Sequence, residues 1–235
     1  MKKTGEVLFV TKEKSTYQMS ETFIVGSLLA VAGGYFDAYT YIARGGVFAN
    51  AQTGNIVLLG INIAHGDYIK MLSYMIPVIA FVLGIFTAEF IRAHEKKFHM
   101  HWRQVIIALE ILAVVIVAFL PVSEKNMYTY NMTANVIISF VCSLQVQSFR
   151  KIHGIVCATT MCTGNLRSGT DCLVQYQKTK DKKKLNDGLK YCAINLLFVF
   201  GAIISVFVTN IFGGISVIFC LIPLITVFLL MFRNT

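Results

Sequence analysis

Four acidic residues stand in or beside apolar segments of this chain: Asp37, Glu89, Glu110 and Asp171. A charge inside a bilayer costs roughly 3 kcal/mol or more at the centre, so such residues are functional candidates by default. Asp37 lies deep in GGYFDAYTY, on one helix face with Gly33 and Tyr41, and is the best placed to hold a proton or a cation. Arg44, seven residues on, projects to nearly the same face, so an Asp37–Arg44 pair is the structural alternative. Glu89 stands three residues before Arg92 and reads as interfacial. Glu110, in IIALEILAVV, has no polar neighbour in sequence. It either meets a partner across the bundle or keeps its proton, because burial disfavours the charged form. Asp171 follows Arg167 by four residues, a spacing that puts the two side by side on a helix. Asp37, Glu110 and Asp171 are therefore the candidates for proton or ion coupling.

A second set of residues offers binding rather than proton chemistry. The tripeptide Thr-Gly-Asn occurs twice, as Thr53-Gly54-Asn55 and Thr163-Gly164-Asn165, 110 residues apart. Threonine can cap a helix start, glycine allows close approach of backbone, and asparagine both donates and accepts. At the start of a half-helix, free N–H groups and the dipole favour a polar or anionic group. Arg167, just after the second copy, could face an anionic solute. The six residues of the two tripeptides together with Arg167 are the expected substrate-binding set. The competing reading makes the tripeptides packing elements that hydrogen-bond the two copies together. At the same offset, Val57 and Ile61 take the places of Arg167 and Asp171, and Gln147 that of Asp37. The halves share a scaffold but not charges, so a site between them is asymmetric.

The elements that must position these residues are membrane helices. The chain of 235 residues is 56% hydrophobic and 14% charged, with mean hydropathy +0.65. Soluble domains carry roughly 25% charged residues, so a soluble domain is excluded. The net charge of +9 reflects basic loops on the cytoplasmic face rather than nucleic-acid binding. Residues 1–20 read as a polar, basic cytoplasmic tail. The apolar run after them, about 22 residues, exceeds a signal-peptide core of ~7–15, so it reads as a retained first span.

A span needs ~20 apolar residues, and six segments supply them: about 22–43, 71–92, 104–121, 130–150, 189–210 and 213–232. The tripeptide stretches, about 46–65 and 156–177, are more polar. If they dip in and return on the same side, 18 of the 21 Lys and Arg residues fall inside and 3 outside, as the positive-inside rule asks. The fold class expected is an all-α polytopic membrane bundle. It has two internal repeats, 21–125 and 126–235, with six spans plus two re-entrant or half-helices. Three spans per repeat invert the second copy, a plan common in secondary transporters. The alternative is eight spans in two parallel repeats.

Small residues at every fourth position, Gly26, Ala30, Gly34 and Ala38 in the first span and Ala80, Gly84 and Ala88 in 71–92, predict close backbone packing in lipid. These two helices are expected to pack on each other. The six cysteines, all in the second half, show no paired or zinc-like spacing and read as small apolar residues. His94, His99 and His101 lie in a wet loop, and HEKKF lacks the second His of a zinc-protease helix. The loop from Gln177 to Lys190 reads as a solvated basic connection, attracted to anionic lipid.

GGYFDAYTY, then VFANAQTGNIVLLG, then a second TGNLR resemble the YoaK-like family of bacterial multispanning membrane proteins, defined by a domain of unknown function. The resemblance covers about 20–232. It implies a multi-pass protein of a bacterial inner membrane and brings no activity, substrate or cofactor with it. The function expected from the residues is a small secondary transporter or channel-like permease for a small polar or anionic solute, possible coupling being to protons. The alternative is a non-transporting scaffold or sensor subunit. No catalytic set, nucleotide loop, cofactor or metal site stands at recognisable spacing, so an enzyme is not expected. The partners expected are the bilayer, an unidentified solute and, as an option, further copies of the chain, with no nucleic acid.

Overall fold

The computed structural model describes residues 18–98, 100–122 and 127–232. Most of the expected basic tail, His99, Lys125 and Arg233 lie outside the described residues. Among the described residues eight α-helices follow in order: α1 Phe23–Ala43, α2 Gln52–Ala64, α3 Tyr68–Ala93, α4 Trp102–Ala118, α5 Met127–Ser148, α6 Cys162–Thr179, α7 Lys182–Phe212 and α8 Leu221–Met231. A 3-10 stretch, Gly213–Cys220, joins α7 to α8. A two-residue hairpin, β1 Lys151–Ile152 with antiparallel β2 Ile155–Val156, follows α5. Otherwise the described fold is all-α, as the composition requires.

Local signals set the helix ends. Thr22 caps α1 by accepting from the Val25 amide, and Asp67 and Asp181 do the same for α3 and α7. His101 and Gln104 form a reciprocal capping box on α4. Gly45 and Gly46 stop α1 with φ of 89° and 78°, values that side-chain-bearing residues rarely adopt.

Among the described residues, three stretches are long and apolar enough to cross a membrane by themselves: α1, α3 and the run Lys182–Met231. The expected spans at 104–121 and 130–150 appear as α4, of 17 residues, and α5, whose buried face is polar. The tripeptide helices are unequal, α6 having 18 residues. α2 has 13 residues, about 20 Å at 1.5 Å per residue, against ~30 Å of hydrocarbon.

The helix contacts follow a crossed pattern. α1 packs on α7, and α3 packs on α5. α2 rests on α3 as α6 rests on α7, and α4 packs on α5 as α8 packs on α1. The expected pairing of α1 with α3 is therefore corrected. The stripe on α1 faces α7: a Cβ on Gly34 would overlap the carbonyl of Phe198, and one on Gly201 the carbonyl of Val31. The stripe on α3 faces α5, where Gly84 meets Ser143 and the carbonyl of Phe140. Small residues state how closely a helix can be approached, not by which neighbour.

Candidate functional site

Both tripeptide helices start at one place. The lead-in segments 47–51 and 157–161 run into α2 and α6, and their ends line a shared cavity of ≈570 Å³. α1 contributes Asp37, Ala38, Tyr41 and Ile42, α3 contributes Phe81, and α7 contributes Phe198 and Ala202. Thr53, Thr163 and Gly164 also line it, so members of the two tripeptides do share one site. The rings of Tyr41 and Phe48 stack across part of it at 4.8 Å.

The asparagines do a different task. Asn55 Oδ1 accepts from the Phe48 amide (2.9 Å) and Nδ2 donates to the Phe48 carbonyl (2.7 Å). Asn165 repeats this with Ala158: Oδ1 accepts from its amide (3.3 Å) and Nδ2 donates to its carbonyl (2.6 Å). Both asparagines are buried and neither lines the cavity. Each ties its helix to the stretch of chain seven residues earlier, which fixes where the helix begins. Gly54 is needed because a Cβ there would press on the Phe48 ring (2.9 Å), whereas Gly164 has open space around it.

The threonines do not cap. The residues at the N-cap positions are Ala51 and Met161, and neither supplies a side-chain cap bond. Two helix starts thus face the cavity without a capping side chain, the arrangement that suits an anionic or polar guest.

Asp37 is buried and its Oδ1 accepts from the Asn50 amide at 2.6 Å. It does not pair with Arg44. The buried Arg44 guanidinium instead donates to the Tyr39 hydroxyl and to the carbonyls of Val117, Leu120 and Pro121. It therefore closes the C-terminal end of α4, where a cation complements the dipole. Sequence spacing within α1 could not reveal a partner 73 residues away.

Two residues that sequence reasoning passed over as site candidates belong to the site. Asn50 donates through Nδ2 to the Gly33 carbonyl (3.2 Å), and its Oδ1 has no hydrogen-bond partner among the described residues. Thr160 Oγ1 is likewise unpartnered and buried. Both line the cavity. Their separation is the same 110 residues that relates the tripeptides, a signal that was present but carried no chemistry without the fold.

The other candidates lie elsewhere. Arg167 and Asp171 are exposed on α6 and outside the cavity lining. Asp171 accepts from Gln175 at 2.7 Å rather than pairing with Arg167. Glu89 bonds Gln147 and pairs with Arg92 at 3.7 Å on the surface, as an interfacial acid does. Glu110 is fully buried, away from the cavity, with no hydrogen-bond partner for either oxygen among the described residues. Cys142, Cys157 and Cys220 are buried, and Cys162 lines the cavity.

The model of the family described as "Protein of unknown function (DUF1275)" matches residues 25–231, so the chain belongs to that family. It is 26% identical over 181 residues to the "UPF0700 transmembrane protein YoaK" of Bacillus subtilis (strain 168), covering 76% of this chain and 80% of that one. No solved structure matches.

Proposed function

We propose that this DUF1275 protein is a small permease of a bacterial inner membrane that binds a small polar or anionic solute in the cavity where α2 and α6 begin. The observation that carries this reading is the convergence there of two helix starts lacking side-chain caps with two buried, unpartnered oxygens, Asn50 Oδ1 and Thr160 Oγ1. Helix starts attract negative charge, and an unpartnered buried oxygen calls for a donor. A guest carrying both an acceptor edge and an N–H or O–H group answers both. Phe48, Phe81 and Phe198 would cover its apolar part. Asp37 then acts as the acid beside the site, and Thr53, Thr163 and Gly164 as contacts. Asn55 and Asn165 fix the helix starts and do not touch solute.

The crossed helix contacts and the matched asparagine bonds support reading 21–125 and 126–235 as inverted copies, each of three spans and one half-helix, with a cytoplasmic N-terminus. Broken helices meeting between inverted copies are where transporters bind their solutes.

A scaffold reading has one observation in its favour: both asparagines are spent on bonds within their own copies. The two readings differ in water access. Thr53→Cys and Thr163→Cys, placed in a chain lacking the native cysteines, should react with a charged, membrane-impermeant thiol reagent. Asn55→Cys should not. Two threonine positions that both stay unreactive would defeat the permease reading and leave the scaffold. Thermal-shift screening of the purified protein against small carboxylates, amides and amino acids then identifies the solute class.

A further inference from the structure

One face of α5 is polar along its buried length. Asn131, Asn135, Ser139, Cys142 and Gln145, at spacings of three and four, share one side of the helix and are all buried. Four of them present an oxygen without a hydrogen-bond partner among the described residues: Asn131 Oδ1, Asn135 Oδ1, Ser139 Oγ and Gln145 Oε1. The nitrogens are used to anchor the lane. Asn135 Nδ2 donates to the Arg44 carbonyl (2.8 Å) at one end. Gln145 Nε2 donates to the Leu29 carbonyl (3.2 Å) and to Thr159 Oγ1 (3.1 Å) at the other.

Glu110 is fully buried on α4, which packs on α5. The Cys142 thiol is within electrostatic range of both the Glu110 and the Asp37 carboxyls and lies against the Asn50 side chain. The Cys220 thiol, just before α8, is within electrostatic range of Glu110 as well. Among the described residues no Lys, Arg or His forms an ion pair with Glu110. An ionised carboxylate buried without a cation or a donor is strongly disfavoured. Buried oxygens in a row are satisfied by internal water, which needs two to four polar partners.

We infer that Glu110 is a proton-binding site, resident as the neutral acid, and that the polar face of α5 carries protons to and from it through hydrogen-bonded water. In release, the carboxyl O–H bond breaks, the proton passes to a lane water as hydronium and moves on along the water chain, and the carboxylate left behind accepts from the water that replaces it. Uptake reverses each step. Cys142, on the lane, neighbours Asn50, which lines the solute cavity. The inference deepens the permease reading by naming the proton as its coupling ion, and it rests on that reading only for the coupling.

Infrared spectroscopy of the full-length protein in lipid bilayers tests it without any solute. At neutral pH a carboxylic-acid C=O band is expected that shifts on 13C-labelling of glutamate, is lost in Glu110→Gln, and remains in Asp37→Asn. In D2O the band should shift within minutes, and in Asn135→Leu/Ser139→Ala the shift should slow at least tenfold. A band insensitive to glutamate labelling, or no band, would overturn the proton site. A glutamate band that fails to shift in D2O over hours would overturn the lane. The labelling needs no variant, so the proton site stands or falls on it even where Glu110→Gln does not fold. A deuterium-exchanging Glu110 band in a protein whose cavity excludes the thiol reagent would defeat the permease and retain the proton site.

Discussion

The Asn55 side chain grips the backbone of Phe48 at both ends of one residue, accepting from its amide at 2.9 Å and donating to its carbonyl at 2.7 Å. The same two bonds join Asn165 to Ala158. An amide side chain is the smallest group that can close such a pair, since it carries one acceptor and one donor on neighbouring atoms. Aspartate lacks the donor and serine the reach.

Loss of either clamp should therefore lower stability. Asn55→Ala and Asn165→Ala each strand a backbone amide and carbonyl, a loss of about 2–6 kcal/mol at about 1–3 per stranded group. Thermal unfolding in detergent should show both variants falling by similar amounts. A large fall in one and none in the other would contradict the matched roles.

Arg44 should resist replacement by lysine. Its guanidinium spans Tyr39 and three carbonyls at the end of α4, and one ammonium cannot reproduce that planar fork. Arg44→Lys is expected to cost about 2 kcal/mol or more, by the usual worth of hydrogen bonds to charged groups. Asp37→Asn should leave this end of the molecule unaltered, because Asp37 does not touch Arg44. A strong non-additive coupling between the two substitutions in a double-mutant cycle would disprove the separation.

Glycine substitutions sort the helix contacts. Gly34→Ala places a methyl against the Phe198 backbone carbonyl, which cannot step aside as a side chain would. Yield and thermal stability should drop as α1 and α7 are pushed apart. Gly60→Ala, in mid-α2 with nothing within 4 Å, should be neutral or stabilising by about 0.5–1 kcal/mol from helix propensity. Equal behaviour of the two would argue against the α1–α7 contact.

His153 supplies a pH test at the hairpin. Its Nε2 accepts from the Phe23 amide at 3.3 Å, at the start of α1, a bond only the neutral ring can make. Burial, and next the Lys190 charge, hold its pKa below the usual histidine value. The folded state thus binds fewer protons than the unfolded one, so stability rises with pH. The contribution is complete above the unfolded value near 6.5 and is lost as pH falls below it towards the folded value. Thermal midpoints from pH 5 to 8 should show a step in the native chain that His153→Ala flattens.

Reporter fusions near Gly46 and Lys70 address the path of the chain. If α2 dips in and returns, both should report the same face of the membrane. Opposite faces would establish a full crossing and with it eight spans in parallel copies.

Much of this was legible from the residues alone. Hydropathy and charge required a helical membrane protein, because 56% apolar composition with 14% charge leaves too few polar groups to cover a soluble surface. The repeated tripeptide lies in the first turns of α2 and α6, whose starts line one cavity. Asp37 stood out in the sequence, since a charge amid that much apolar sequence must be met by something, and the Asn50 amide meets it. Which neighbour met each group was not legible. Arg44 found the end of α4, the α1 stripe found α7, and the asparagines bonded back to their own lead-ins. Periodicity states which face of a helix is small or polar, but partners are chosen by how the helices close around one another. That closure also made Asn50 and Thr160 walls of one cavity and packed the helix of Glu110 on α5. Those relationships join residues far apart in the chain, and only packing brings them within reach of a hydrogen bond.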